Sequence, residues 1–238
     1  MKAGGDAKLG CREWYSGEVE MLLVRDSMAK EVVTVRPETT AEEALALCRG
    51  NGIRHLPVLE GGWLVGIISD RDLRLATPAL GDPDRALALK RIRVADEMAK
   101  EVVTARPEDP IEEAAMEMYE RKIGCLPVVG DDGLVGILTS SDVMRAFVRL
   151  VGAHEPGSRV EVALSKRPGA FAGVAGILQN AGANIVSVLA SSEGEDESGA
   201  RVAVFRIDTI DPRRIVESLQ AAGYAVRWPP GASGAGRS

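Results

Sequence analysis

The stretch Val24-Arg-Asp-Ser-Met-Ala-Lys-Glu-Val-Val-Thr-Val-Arg-Pro-Glu38 recurs 70 residues later as Val94-Ala-Asp-Glu-Met-Ala-Lys-Glu-Val-Val-Thr-Ala-Arg-Pro-Glu108. The correspondence continues without a gap to Arg74 and Met144, with 24 identities in 51 aligned positions. Self-similarity at a fixed offset is the signature of a duplicated structural unit. The fold of this part of the chain therefore follows from the fold of one repeat.

Each repeat is predicted to fold as β-α-β-β-α, which places the chain in the mixed α/β (α+β) class. Short β-branched runs predict strands, Arg-Pro ends the first of them, and a capping pattern precedes each helix. In the first repeat the predicted elements are a strand at Val32–Val35, a helix capped by Thr39 with Glu42, strands at His55–Leu59 and Leu64–Ile68, and a helix from Asp70. In the second they are a strand at Val102–Ala105, a helix capped by Asp109 with Glu112, strands at Cys125–Val129 and Leu134–Leu138, and a helix from Ser140.

Each repeat ends in the same short motif, Gly66-Ile-Ile-Ser-Asp-Arg-Asp72 in the first and Gly136-Ile-Leu-Thr-Ser-Ser-Asp142 in the second. With the duplication, these motifs resemble the cystathionine-β-synthase (CBS) domain pair, or Bateman module, over about Met21–Val151. The resemblance implies two units related by a pseudo-twofold axis, with clefts between them that bind adenosine compounds: AMP, ADP, ATP or S-adenosylmethionine.

A third segment has its own pattern. The predicted elements are strands at Arg159–Leu164, Asn184–Leu189 and Val202–Ile207, an acidic hairpin loop at Glu193–Gly199, helices containing Phe171 to Leu178 and Ile215 to Leu219, and a final strand at Tyr224–Trp228. We expect Asp211 to cap the second helix, with Pro212 at its first position. The order βαββαβ is ferredoxin-like. With Pro168-Gly-Ala-Phe171 and Asn184-Ile185, it resembles an ACT domain.

The domain boundaries follow from these segments. We expect an N-terminal tail at 1–20, CBS units at 21–80 and 94–151 joined by a linker at 81–93, an ACT domain at 158–228 and a disordered tail at 229–238. Two CBS units followed by an ACT domain resemble the AcuB-type acetoin-utilisation proteins. Because the repeat begins so soon after Met21, translation could start at Met1 or at Met21.

Two pairs of residues are the first candidates for nucleotide binding, Ser69 with Asp72 and Thr139 with Asp142. A carboxylate at a strand-to-helix turn can accept both ribose hydroxyls, and the free N–H groups of a helix start suit a phosphate. The resemblance implies these roles. The same Ser-x-x-Asp and Thr-x-x-Asp spacing is also close to a capping box, which needs no ligand.

Basic residues are the second group of candidates. Arg54 and His55 lie where some CBS proteins place phosphate ligands, and Arg71 follows in the motif, whereas the second repeat has Gly124, Cys125 and Ser141. The two clefts should therefore differ in affinity or ligand. A solvated Arg54 and a half-buried His55 are the alternative. The resemblance implies that Thr34 and Thr104 line the pocket for the adenine base. The alternative is that both residues are simply the ends of strands.

The ACT segment has two candidate ligand residues, Gly169 at the helix start and Asn184, which could hydrogen-bond a small amino acid. Many amino-acid-binding ACT domains have an acidic residue where this chain has Lys166. An ACT domain of this kind could instead serve as a dimerisation surface, and a homodimer is what both resemblances imply.

Composition narrows the function classes. The net charge is −6, which argues against general binding of nucleic acid or anionic membranes. No apolar run is long enough for a membrane helix. Three widely spaced cysteines and two histidines offer no disulfide framework, zinc site or catalytic triad. We expect a cytoplasmic, reduced protein with no cofactor.

The sequence thus predicts a non-catalytic sensor of adenosine nucleotides that acts on an unknown regulated protein, with a link to acetoin or carbon metabolism implied by resemblance alone. Three alternatives remain. The CBS clefts could be empty in a structural or interaction scaffold, or the ACT domain could be the sensor, for an amino acid. The protein could also be an enzyme of acetoin metabolism, although no group of residues in the sequence supports catalysis.

Overall fold

The computed structural model describes residues 22–165, 167–195 and 199–229. The chain divides between Val143 and Met144 into two compact units. The first unit contains the first repeat and the second repeat as far as the start of its last helix. The second unit contains the rest of that helix and the chain that follows it. The predicted tail at 1–20 and residues 230–238 of the predicted tail at 229–238, together with Cys11, Met21 and Lys166, lie outside the described residues.

The first repeat contains helices α1 (Val24–Ser27), α2 (Ala41–Asn51) and α3 (Asp70–Leu75) and strands β1 (His55–Glu60) and β2 (Trp63–Ser69). Helix α4 (Arg85–Arg91) lies within the expected linker. The second repeat contains α5 (Val94–Glu97), α6 (Ile111–Arg121), β3 (Cys125–Gly130), β4 (Gly133–Thr139) and α7 (Ser140–Leu150). In both repeats the two strands form an antiparallel hairpin, with a register shift at the same place, after Val58 and after Val128.

The predicted first strand of each repeat is wrong in extent. Only Val35 and Ala105 pair, each by an isolated parallel bridge, with Val58 and Val128 respectively. The physical reason is the path of the chain. The segment before each bridge comes from the other repeat: Ala29, for example, pairs with Ile137 of the second hairpin before the chain reaches Val35. Because the segment crosses from one hairpin to the other, it does not form a continuous strand along either.

The predicted helix caps are displaced by one residue. Thr40 caps α2 in a complete capping box with Glu43, while the hydroxyl of Thr39 accepts a hydrogen bond from the N–H of Arg36 at 3.0 Å. Asp109 likewise accepts from the N–H of its own Arg-Pro turn, and α6 begins after Pro110. In both repeats the first polar side chain accepts a hydrogen bond from the backbone N–H of the arginine in the Arg-Pro turn. The helix therefore starts one residue later than predicted.

Short segments are exchanged between the repeats. The N–H of Val24 donates to the carbonyl of Asp109 at 2.9 Å, so α1 adjoins the second repeat. In the same way the N–H of Val94 donates to the carbonyl of Thr39 at 2.9 Å, and Val94 is fully buried in the core of the first repeat. The segment before the second repeat thus completes the core of the first repeat, and the segment before the first repeat packs against the second.

The core of the first repeat is aliphatic, as the low aromatic content predicts. Its fully buried side chains include Leu56, Val58 and Leu73. Leu89 of α4 packs against this cluster. The expected linker is therefore anchored to the first repeat through its helix.

The second compact unit contains the rest of α7, followed by a four-stranded antiparallel sheet with two helices. Its elements are β5 (Ser158–Leu164), α8 (Ala170–Asn180), β6 (Ile185–Glu195), β7 (Arg201–Ile207), α9 (Arg213–Ala221) and β8 (Ala225–Trp228), and the strand order is β6-β7-β5-β8. This confirms the predicted βαββαβ order. Helix α9 starts after Pro212, and Asp211 accepts from the N–H of Arg213. Strand β6 runs into the predicted acidic loop as far as Glu195.

Candidate functional site

A cleft of about 1040 Å³ lies between the two repeats. The first repeat contributes the start of β1, the end of β2 and helix α3. The second contributes the segment after α5, the end of α6 and the start of β3. The lining residues are Arg54, His55, Ile67, Ile68, Ser69, Asp70, Arg71, Asp72, Arg74, Leu75, Ala99, Glu101, Val102, Val103, Lys122, Ile123, Gly124, Cys125, Pro127 and Ser140.

The Ser69–Asp72 pair lies at the start of α3 in this cleft. Asp72 Oδ2 accepts from the Ser69 N–H at 3.0 Å and from its hydroxyl at 2.6 Å, and the Asp72 N–H donates to Ser69 Oγ at 3.2 Å. The capping interpretation of this spacing is thus confirmed. Within the described part of the chain, no hydrogen bond uses Oδ1 of Asp72, and the residue is exposed. One carboxylate oxygen therefore caps the helix while the other faces no described partner.

The Thr139–Asp142 pair repeats this geometry at the start of α7. Asp142 Oδ2 accepts from the Thr139 N–H at 2.8 Å and from its hydroxyl at 2.6 Å. Asp142, however, is only 7% exposed, and neither residue lines the cleft. The Asp72 and Asp142 carboxylates thus accept the same two hydrogen bonds, but Asp72 is exposed and Asp142 is buried.

The cleft has an excess of unpaired positive charge. Arg74 forms an ion pair with Asp70 at 3.0 Å. Arg54, Arg71 and Lys122 form none with any described residue, and all three are exposed. The sequence singled out Arg54 and Arg71. Lys122 was missed because it belongs to the other repeat, and the signal that could have identified it is a lysine at the position of Gly52.

His55 is half-buried against the second repeat. A β-carbon added at Gly124 would lie 3.1 Å from both Cε1 and Nε2 of its ring. Burial lowers the pKa of His55, and the neighbouring Arg54 lowers it further, while Asp70 and Asp72 act in the opposite sense. The neutral imidazole is therefore favoured in this structure.

Thr34 and Thr104 are not brought into the cleft. Val102 and Val103 line it, whereas Thr104 is exposed and is not part of the lining. Thr34 lies on a separate depression of about 660 Å³ that is formed by the first repeat alone, between the 34–39 turn and Gly61-Gly62. The apolar contact expected near the threonines is thus supplied by the two valines.

The glycine of each motif has a role that the sequence did not reveal. A β-carbon at Gly66 would lie 3.1 Å from the carbonyl oxygen of Ala99 and would collide with Met98. Gly136 stands in the same relation to Ala29 and Met28. Each glycine therefore makes room for the exchanged segment of the other repeat.

The candidate ligand residues of the second unit are arranged differently from the expectation. The N–H of Asn184 donates to Asp208 Oδ1 at 2.9 Å, and its side-chain amide donates to Oδ2 at 2.7 Å. These bonds lower the pKa of Asp208. Gly169 has φ of 88° and opens α8 with nothing within 4 Å of a β-carbon position. Asn184 serves to join β6 to the end of β7.

Among the described residues, no group of three or more His, Cys, Asp or Glu side chains is arranged to hold a metal ion. No helix within these residues is long and apolar enough to cross a membrane.

Comparison with known families assigns the three segments. The CBS domain model matches residues 24–78 and 92–149, and the ACT domain model matches residues 158–223. These matches agree with the resemblances stated from the repeat and from the βαββαβ pattern.

Individual relatives match over the CBS pair. A CBS domain-containing protein of Dictyostelium discoideum is 37% identical over 143 residues, which are 58% of this chain and 99% of that protein. A solved structure assigned to acetoin utilisation (AcuB) from Vibrio cholerae is 33% identical, covers 57% of this chain and 96% of its own, and has a TM-score of 0.49.

A second solved structure is the CBS domain pair of protein MJ0100, in complex with 5′-methylthioadenosine and S-adenosyl-L-methionine. It is 30% identical, covers 57% of this chain and 100% of its own, and has a TM-score of 0.46. The near-complete coverage of the Dictyostelium relative, together with both family matches, shows that this chain belongs to the CBS-domain proteins and carries an ACT domain after its CBS pair.

Proposed function

We propose that this protein is a non-catalytic regulatory sensor whose CBS pair binds an adenosine nucleotide in the cleft around Asp72. The ACT domain then passes the signal through a homodimer to a regulated protein. We also propose a cytoplasmic setting, because the three cysteines are widely spaced in the sequence and the two described ones, Cys48 and Cys125, form no disulfide. The sequence resemblance alone extends the proposal to acetoin or carbon-source metabolism.

The observation that carries the proposal is the composition of the 1040 Å³ cleft. It combines an exposed carboxylate, Asp72, with two unpaired arginines, Arg54 and Arg71, on the wall of the first repeat. The opposite wall includes the apolar pair Val102 and Val103. A nucleotide needs an acceptor for its ribose hydroxyls, cations for its phosphate and an apolar surface for its base.

The register of the hairpin supports a specific arrangement of these groups. His55 pairs with Ser69 across β1 and β2, and the N–H of Asp70 donates to the carbonyl of Arg54 at 2.8 Å. Arg54 is therefore held beside the start of α3. We assign Asp72 Oδ1 to the ribose and Arg54, with the Ser69 side chain beside it, to the phosphate attached to the ribose.

The second motif is a weaker candidate in the same proposal. Asp142 is buried, and its repeat lacks the basic residues, having Gly124, Cys125 and Ser141 at those positions. A ligand held there would have to meet Thr139 and Asp142 without a phosphate-binding arginine. We therefore propose that the cleft around Asp72 is the one occupied by a phosphorylated ligand.

The ACT domain is proposed as the part that transmits the signal. Binding of an amino acid at Asn184 is not favoured, because its amide and N–H are already engaged by Asp208. For the response to be allosteric, the nucleotide must bind one arrangement of the two repeats more tightly than the other.

The test is nucleotide binding by Asp72→Ala compared with Glu43→Ala. Both changes break a capping box, but Glu43 is on α2, outside the cleft lining. Thermal unfolding is measured with adenosine, AMP, ADP, ATP, S-adenosylmethionine and several amino acids. A ligand at 100 times its Kd stabilises by about 2.7 kcal/mol, on the order of 5–10 °C for a chain of this size.

We expect a shift with at least one adenosine compound that survives Glu43→Ala and is lost in Asp72→Ala. The complete Ser69–Asp72 capping box is the observation that favours the rival scaffold interpretation. That rival predicts no shift with any adenosine compound and equal losses of stability in the two variants. A shift with an amino acid alone would transfer sensing to the ACT domain, and turnover of an acetoin-related compound would favour an enzyme.

A further inference from the structure

We infer that Lys122, contributed by the second repeat, makes the cleft selective for adenosine nucleotides that carry more than one phosphate. The inference rests on the proposed function and goes beyond it, because it names the ligand class and the residue that selects it. Three observations support it: the backbone conformation of Lys122, its place in the cleft and the charge balance there.

Lys122 has an unfavourable backbone conformation. Its φ is 56°, and among the described residues it is the only non-glycine with positive φ. The equivalent residue of the first repeat is Gly52, with φ of 63°, and both residues terminate their helix. Glycine adopts this conformation without steric cost, whereas a lysine does not. The second repeat thus has a strained lysine where the first has an unstrained glycine, which indicates that the lysine side chain has a function there.

Lys122 lines the cleft from the second repeat. It is two residues before Gly124, which lies against the ring of His55, and both residues line the cleft. Arg54 and the Ser69–Asp72 turn line the cleft from the first repeat. A nucleotide whose ribose and first phosphate are held by the first repeat would extend its further phosphates toward the second repeat, where Lys122 is the lysine of the lining.

The charge balance agrees with a polyphosphate. Arg74 and Asp70 neutralise each other, and Asp72 is assigned to the helix cap and the ribose. Three cations, Arg54, Arg71 and Lys122, remain against two carboxylates, Asp72 and Glu101, so removing Lys122 would leave no excess of positive charge in the lining. A monophosphate needs no more than the two arginines. The third cation, contributed by the second repeat, suits a second or third phosphate, for which a lysine is an effective point charge.

The test compares Lys122→Gly with the wild type in calorimetric titrations with adenosine, AMP, ADP and ATP. The variant copies the residue found at Gly52, so it should fold, with an unfolding midpoint within about 3 °C of the wild type. We expect the Kd for ADP and ATP to rise about tenfold or more, as for loss of a charged hydrogen bond, and that for AMP to change by less than about twofold.

Two controls accompany it. Lys90→Ala removes the same charge from an exposed position on α4 outside the cleft lining and should leave every Kd unchanged. Lys122→Arg keeps the charge and should retain binding of ADP and ATP. Equal effects on AMP and ATP, or no effect on either, would overturn the role of Lys122 while leaving nucleotide sensing intact. If the wild type binds none of the four compounds, the role of Lys122 is wrong, and if it does not bind S-adenosylmethionine either, the proposed sensing is wrong as well.

Discussion

The ring of His55 lies against the backbone of Gly124, so closely that a β-carbon on Gly124 would be 3.1 Å from two ring atoms. The two residues come from different repeats, and Gly124 occupies the position equivalent to Arg54. The cleft therefore depends on divergence of the copies, because a second arginine at this place would fill the space that His55 uses. The duplication thus determines the fold around the cleft, and the differences between the two copies determine which side chains line it.

Gly124→Ala should destabilise the protein by about 1 kcal/mol, because the imidazole must move by a few tenths of an ångström in a packed contact. The free energy of unfolding is measured by urea titration. In the His55→Ala background the same change should cost nothing or stabilise slightly, since the neighbouring atoms are gone. An equal loss of stability in both backgrounds would show that the contact between Gly124 and the His55 ring is not what makes alanine unfavourable at position 124.

The lowered pKa of His55 predicts how stability depends on pH. Because the unfolded chain binds this proton more readily than the folded one, stability is fully present above about 6.5 and falls as the pH drops through the lowered pKa. The neighbours that act on the ring are Arg54, Asp70 and Asp72. In urea titrations between pH 8 and pH 5, His55→Gln should lose less stability than the wild type, and parallel curves would contradict the assignment.

A phosphate beside His55 would favour the protonated ring. Nucleotide affinity in the wild type should therefore increase more steeply on acidification below about pH 6.5 than in His55→Gln. The ligand's own titration is common to both proteins, so the difference between their calorimetric Kd values isolates the histidine. Identical pH profiles would place the phosphate away from His55.

Alanine at either motif glycine should be strongly destabilising. Gly66→Ala and Gly136→Ala place a methyl group against the exchanged segment of the other repeat, at a cost of about 1–3 kcal/mol. Gly50→Ala is the matched control, because nothing lies within 4 Å of its β-carbon position in α2. That change should raise stability by about 0.5–1 kcal/mol. Similar effects at all three positions would argue against the exchange of segments.

Asp142→Ala should cost more stability than Asp72→Ala. Both remove a carboxylate that accepts two hydrogen bonds at the start of a helix, worth about 0.5–2 kcal/mol. Asp142 is 7% exposed, so its loss also leaves the N–H and hydroxyl of Thr139 without their acceptor in a buried place. Chemical unfolding of the two variants gives the comparison. A greater cost at Asp72 would show that burial is not what separates the two motifs.

Cys48 and Cys125 should resist alkylation in the native protein. Burial raises the pKa of Cys48 to about 11 and that of Cys125 to about 12, so the reactive thiolate is scarce at pH 8. Mass spectrometry after brief iodoacetamide treatment should find both unlabelled until denaturant is added. Rapid labelling of Cys125, which lines the cleft, would indicate that the two repeats separate readily.

The local elements could be predicted from the sequence because they depend on short-range patterns. The repeated Leu-Pro-Val and Leu-Val-Gly-Ile segments predicted both hairpins, which the structure confirms within two residues at each end. The helix from Asp70 begins where the Ser69 cap indicates. Alternating and helical spacings predicted the βαββαβ unit in the same way. The short strands before Pro37 and Pro107 were the exception, since a three- or four-residue β-branched run does not reveal its partner.

The sequence by itself determined the duplication, the order of elements and the motif residues Ser69 and Asp72, because each is a matter of identity or period along the chain. Only the tertiary structure decided which of the two motifs is open. It also placed Lys122 in the same cleft as Arg54 and bonded Asn184 to Asp208, 24 residues away. The reason is physical: the exchanged segments bring residues of one repeat onto the other. Contacts of that kind depend on packing between distant parts of the chain, which no local pattern records.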